Sequence, residues 1–130
     1  MISSDDSSRI EQLITVAAVV LVWLQDALAV LLKSEQDVTL IACTATVQTL
    51  LLQSLDQVPD LTILHVAEQD EQAFDQVRQI KAVWPASRCL VLVEYSRQRS
   101  PMQAAGADEV VLKGIPPQKL LTSIHQTARK

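Results

Sequence analysis

The stretch "LITVAAVVLVWLQDALAVLL", residues 13–32, decides the fold. Its near-continuous apolar run admits three readings: a membrane span, one long helix, or a buried strand followed by a helix. The length suits a span, which needs about 20 apolar residues. Gln25 and Asp26, however, fall where a bilayer penalises them, and no basic flank precedes the run as it would in a signal peptide. The first part, "LITVAAV" (13–19), is apolar and rich in β-branched residues, the pattern of a central strand covered on both faces. From Trp23 to Lys33 the pattern turns helical. Trp23, Ala27, Val30 and Leu31 share a face there, and Gln25, Asp26 and Lys33 point away from it. Strand then helix is the preferred reading. Its rival is one helix from Ser8 to Ser34, which the alanines and leucines permit.

Downstream the same alternation continues. "DVTLIACTA" (37–45) predicts a second strand, Thr46 a cap, and "VQTLLLQSLDQ" (47–57) a helix. "VPDLTILHV" (58–66) predicts the third strand, and "EQAFDQVRQIKAVWP" (71–85) a helix with Phe74, Val77, Ile80 and Lys81 at helical spacing, stopped by Pro85. "RCLVLVEY" (88–95) is the fourth strand. A brief helix follows, with Ser100 as its cap and Pro101 as its first residue. "DEVVLK" (108–113) is the fifth strand, and "PPQKLLTSIHQTARK" (116–130) a closing helix begun by Pro116 and Pro117. Five strand–helix alternations predict an α/β domain: a doubly wound, flavodoxin-like parallel sheet in the order 2-1-3-4-5, wrapped by helices. Residues 13–130 form this single domain, and the serine-rich stretch 1–12 is a polar N-terminal extension.

The totals limit the functions. At 130 residues the chain suits one domain, and 48% apolar residues with only two glycines exclude a low-complexity protein. A net charge of −4 argues against nucleic-acid binding, which needs clustered Lys and Arg. Cys43 and Cys89 are isolated, which predicts free thiols, no zinc site and a reduced cytoplasmic setting. Neither a nucleophile–base pair nor a glycine-rich phosphate loop is legible, so no enzyme activity and no cofactor are expected.

Ligand chemistry in such sheets gathers at the carboxyl ends of the central strands. At that edge stand Val19 and Val20, then His65, then Val93 and Glu94, then Lys113. With "ALAVLLKSEQDVTLIACTAT" (27–46), "VPDLTILHV" and above all "AAGADEVVLKG" (104–114), the chain resembles the receiver domain of two-component response regulators over nearly its whole length. The resemblance implies a receiver-like fold and a signalling role.

Departures from that family's pattern carry as much meaning. Where it has two acidic magnesium ligands, Val19 and Val20 stand; where it has the phosphate-accepting aspartate, His65 stands. The hydroxyl residue of the fourth strand is matched by Val93 or Glu94, and only the site lysine is retained, as Lys113. Magnesium needs oxygen ligands, which valine lacks. Without the metal a transferring phosphoryl group loses its main neutralising partner. An imidazole cannot form the acyl phosphate. His65 is therefore expected to be a packed histidine, with Lys113 paired to Glu94 or Glu68 as a fixed substitute for phosphorylation.

The resulting expectation is a degenerate receiver: a phosphorylation-independent signalling domain that binds another signalling protein or output domain. By analogy with the family, its partner surface is expected on the fourth helix, fifth strand and fifth helix, with Met102, Val110, Val111, Leu120, Leu121 and His125 as candidates, several of which must be core. Trp23 and Trp84 are expected to be packing residues, and His125 a surface residue. Two alternatives remain open: a small-molecule sensor using the vacated pocket around Val19, Val20 and His65, and a structural subunit of a homo-oligomer.

Overall fold

Strand then helix is what residues 13–33 form. In a computed structural model, which describes residues 13–53, 57–67 and 72–129, β1 (Ile14–Val19) leads into α1 (Val22–Lys33). The predicted extension at 1–12 lies outside the described residues. The elements β2 (Val38–Thr44), α2 (Val47–Leu52), β3 (Leu61–His65), α3 (Ala73–Val83), β4 (Arg88–Val93), α4 (Arg99–Ala105), β5 (Glu109–Leu112) and α5 (Pro117–Ala128) follow. No helix among the described residues is long and apolar enough to cross a membrane.

All strand pairs are parallel, and the sheet order is β2-β1-β3-β4-β5, as the sequence predicts. Alternation along β1 explains why its apolar run is continuous. Ala17 and Val19 pack beneath α2, α3 and α4, whereas Val16, Ala18 and Val20 pack beneath α1 and α5. A strand covered twice has no solvent face to mark with polar residues. Cys43 and Cys89 are both free, on strands separated by β1 and β3. Burial pushes the Cys89 thiol up to about 12.

Local signals account for some helix ends. Thr46 caps α2 by accepting from the Thr49 amide at 3.0 Å. Gly106 ends α4 in the left-handed region, φ 117°, which glycine adopts without strain. The Ser100 cap is displaced, because a turn of 3₁₀ helix at Ser96–Gln98 feeds α4 at Arg99; Pro101 still sits in the first turn, where an amide has no helical partner. Asp108, just before β5, accepts from the Cys89 amide at 2.8 Å and from Lys81 Nζ at 3.0 Å, tying α3, β4 and β5 together. Burial pushes its carboxyl up, but these donors outweigh that and hold it below its usual value.

The α1 face is a correction. Leu28 and Leu32 are buried, with Leu24 and Leu31 packed beside them, whereas Trp23 and Val30 are 65% and 69% exposed and Ala27 is exposed. Only Leu31 of the predicted face packs. Nearly every position of α1 is apolar, so the period alone leaves its rotation open; the leucine row is the one set against Val16, Ala18 and Val20. Trp23 is therefore a surface residue, and Trp84 alone is a packing residue.

Candidate functional site

Five strand ends converge at the carboxyl edge. The Val20 amide donates to the Thr44 carbonyl at 3.0 Å, the Val66 amide to Leu92 at 2.9 Å and the Lys113 amide to Val93 at 2.7 Å, so the sheet is zipped to its rim. Val19 and Val20 are both buried, one on each face of the sheet, and neither offers an oxygen to a cation. His65 ends β3 opposite Leu92 and is 8% exposed. Its Nε2 is buried without a hydrogen-bond partner. Burial, and then the Lys113 charge, push the His65 pKa below its ordinary value against the opposing pull of Glu94. His65 is thus a neutral imidazole at pH 7.

The structure brings Glu94 and Lys113 to this corner. Lys113 Nζ lies 3.9 Å from Glu94 Oε1, with the two side chains 38% and 30% exposed, and stands 5.0 Å above the Trp23 ring centroid. Of the two residues matched to the missing hydroxyl, Glu94 faces the lysine and Val93 is fully buried in the core under α3 and α4. Glu68, the other expected partner of Lys113, lies outside the described residues.

Beside His65 a hollow of 240 Å³ is walled by Val19, Val20, Leu64, Thr46, Gln48 and Gln76. Among the described residues this lining offers amides, a hydroxyl and hydrocarbon, and no carboxylate. Such a lining provides hydrogen bonds but neither a hard-metal cage nor a nucleophile for acyl-phosphate chemistry.

One residue at this edge escaped sequence reasoning. Gln98 Oε1 accepts from the amides of Glu94 (3.0 Å) and Tyr95 (2.8 Å), and its Nε2 donates to the Ala67 carbonyl at 3.1 Å. It ties the loops after β3 and β4 together. Nothing in "SRQRSP" marks a glutamine for that role.

Of the candidates for the partner surface, several are core residues, as expected. Met102, Val110 and Leu121 are buried in the core; Val111 and Leu120 are half-buried and packed against it. Their apolar character reflects burial: Met102 on α4 and Leu121 on α5 cover opposite faces of the sheet, and Val110 and Val111 on β5 turn to one face each. His125 is half-buried rather than free at the surface. Its Nδ1 bonds the Leu121 carbonyl at 2.8 Å, and its Nε2 lies 3.0 Å from Asp37, whose carboxylate also takes Arg129 at 2.9 Å. The Asp37 hydrogen bond raises the His125 pKa, and the same bond lowers that of Asp37. With Glu35, these two residues are the one group among the described residues whose ligating atoms lie close enough to share a metal ion.

Neither a family model nor a curated protein matches the chain. Its fold does match solved structures. A LuxR family DNA-binding response regulator from Silicibacter pomeroyi superposes with a TM-score of 0.76 at 22% identity, covering 90% of this chain and 93% of that one. The signal receiver domain of the response regulator NarL from Mycobacterium tuberculosis gives 0.77 at 13% identity over 91% and 98%. A CheY-like receiver domain protein from Methanospirillum hungatei gives 0.74 at 18% identity over 90% and 94%. The fold is that of a response-regulator receiver.

Proposed function

We propose that the chain is a receiver-like signalling domain that acts by binding another signalling protein or an output domain, without being phosphorylated and without enzymatic activity of its own. One observation carries this reading: at the strand ends where receivers are charged, Val19 and Val20 are buried hydrocarbon and His65 is a buried neutral imidazole. Positions 19 and 20 offer a magnesium ion no carboxylate to replace its water, and position 65 offers the phosphoryl group no acyl acceptor. The signal then resides in which partner the fixed surface binds rather than in a switch of that surface.

Intact-mass measurement after incubation with magnesium and acetyl phosphate tests this. The expected result is no added phosphate and no spectral change, also with a beryllofluoride mimic. His65→Asp alone stays unlabelled too, because positions 19 and 20 still supply no metal ligand. Phosphate mass that is stable in base and labile in acid overturns the reading and makes His65 a phosphocarrier residue.

A further inference from the structure

Between α1 and the connection from β5 to α5 lies a second, larger cleft that the reading above does not use. It measures 690 Å³, within the roughly 300–1,000 Å³ range of sites that hold small organic molecules. Ala27 and Leu31 of α1 line one side, Ile115 and Leu120 the other, with Leu92 from the sheet between them. Most of this lining is hydrocarbon, which gains by excluding water.

Polar groups interrupt it at the strand ends. His65 lines this cleft as well as the smaller hollow, and its Nε2 is buried with no hydrogen-bond partner among the described residues, an arrangement that costs free energy until a partner arrives. Lys113 also lines it. Its ammonium, 3.9 Å from Glu94, is beyond hydrogen-bond reach of that carboxylate and able to turn to a new acceptor. Asp26 lines the cleft from α1 as well, but it is exposed and its charge is screened by water and salt.

We propose that this cleft binds a small molecule with an apolar body and one oxygen head group that accepts hydrogen bonds, such as a medium-chain carboxylate or ketone. The head sits between Lys113 Nζ and His65 Nε2, and the body lies between α1 and α5. An oxygen acceptor satisfies the ammonium and the Nε2–H tautomer of a neutral imidazole together. The proposal is independent of whether His65 can be phosphorylated.

Calorimetric titration of the full chain with decanoate, 2-decanone and decylamine, each below its micellar concentration, tests it. Trp23 fluorescence is a second readout, since its ring centroid lies 5.0 Å from the ammonium of Lys113, which lines the cleft. Decanoate and 2-decanone are expected to bind, and decylamine about tenfold more weakly or not at all. Ala27→Trp, at an exposed position, fills the cleft and abolishes binding. Lys113→Met weakens decanoate roughly tenfold and the ketone less. His65→Phe weakens both. No binding by either oxygen ligand, decylamine bound as tightly as decanoate, or full affinity in Ala27→Trp would each overturn the proposal. Ala27→Trp and Lys113→Met alter exposed side chains, so the test stands even if His65→Phe fails to fold.

Discussion

The chain has two histidines, and the structure treats them in opposite ways. His65, at the carboxyl edge of the sheet, sits among valines and leucines with Nε2 unpaired, and burial drives its pKa down. His125, at the amino edge, has both ring nitrogens engaged, and the Asp37 carboxylate drives its pKa up. At Nε2 one imidazole loses water and gains no partner among the described residues; the other exchanges water for a carboxylate and a carbonyl. The difference separates two uses of a polar side chain: His125 fastens α5 to the start of β2, whereas His65 holds an unsatisfied group at a cleft. Stability belongs to the amino edge, and the proposed binding to the carboxyl edge.

The largest effect is expected from replacing the uncharged group at the dry edge with a charged one. His65→Asp buries a carboxylate beside Val20 and Leu64, with Lys113 offering only partial compensation. A loss of about 2 kcal/mol is expected in urea unfolding at neutral pH. A variant as stable as the wild type would show that water reaches this corner, and would erase the contrast between the edges.

Next comes the amino edge. His125→Ala removes a bond to Asp37 and one to Leu121, at a cost of about 1 kcal/mol for a partly exposed pair. The pH sign follows from the raised folded pKa. The stabilisation is complete below the unfolded value of about 6.5 and is lost as pH rises through the folded value. Urea midpoints of wild type and variant should therefore differ more at about pH 6 than at about pH 9. A constant gap would mean that the ring acts only by packing.

For His65 the sign reverses. Its folded pKa lies below the unfolded one, so as pH falls from about 6.5 towards the folded value the unfolded chain takes up the proton first, and stability drops. His65→Phe removes that acid-side loss. Relative to wild type, the variant should gain stability between about pH 8 and pH 5. A gain of the same sign in His125→Phe would contradict the assignment.

Sequence reasoning read the two edges unequally, for physical reasons. The carboxyl edge was legible because each of its residues ends a strand, and strands announce their ends by the break in an apolar run, as at His65 and Lys113. The split of residues 13–33 was legible from the β-branched residues of "LITVAAV". The His125–Asp37 clamp was not, since its members are 88 positions apart and no local pattern links them. The rotation of α1 was misread because alanine, valine and tryptophan suit either face; the Leu24, Leu28, Leu31 and Leu32 row, at spacings of four and seven, was the available signal. Which of the partner-surface candidates are core was not legible either: Met102, Val110 and Leu121 are buried, and analogy with a family face does not say which side chains on it turn inward.

The smallest effect concerns the pair that spans charge and cleft, Lys113 and Glu94. A buried pair broken on one side strands a charge and costs roughly 3–5 kcal/mol. At 3.9 Å, with both side chains about a third exposed, this pair belongs to the other class, where water screens the attraction and rotamer entropy opposes it. Glu94→Gln and Lys113→Met should each shift unfolding by less than about 1 kcal/mol, with a coupling between them below about 0.5 kcal/mol. Lys113→Met also loses its contact with the Trp23 ring, so it should be the costlier of the two and should alter Trp23 emission. Strong coupling would make the pair a locked substitute for the phosphorylated state. Weak coupling leaves the ammonium free to exchange Glu94 for another acceptor, as binding in the cleft beside His65 requires.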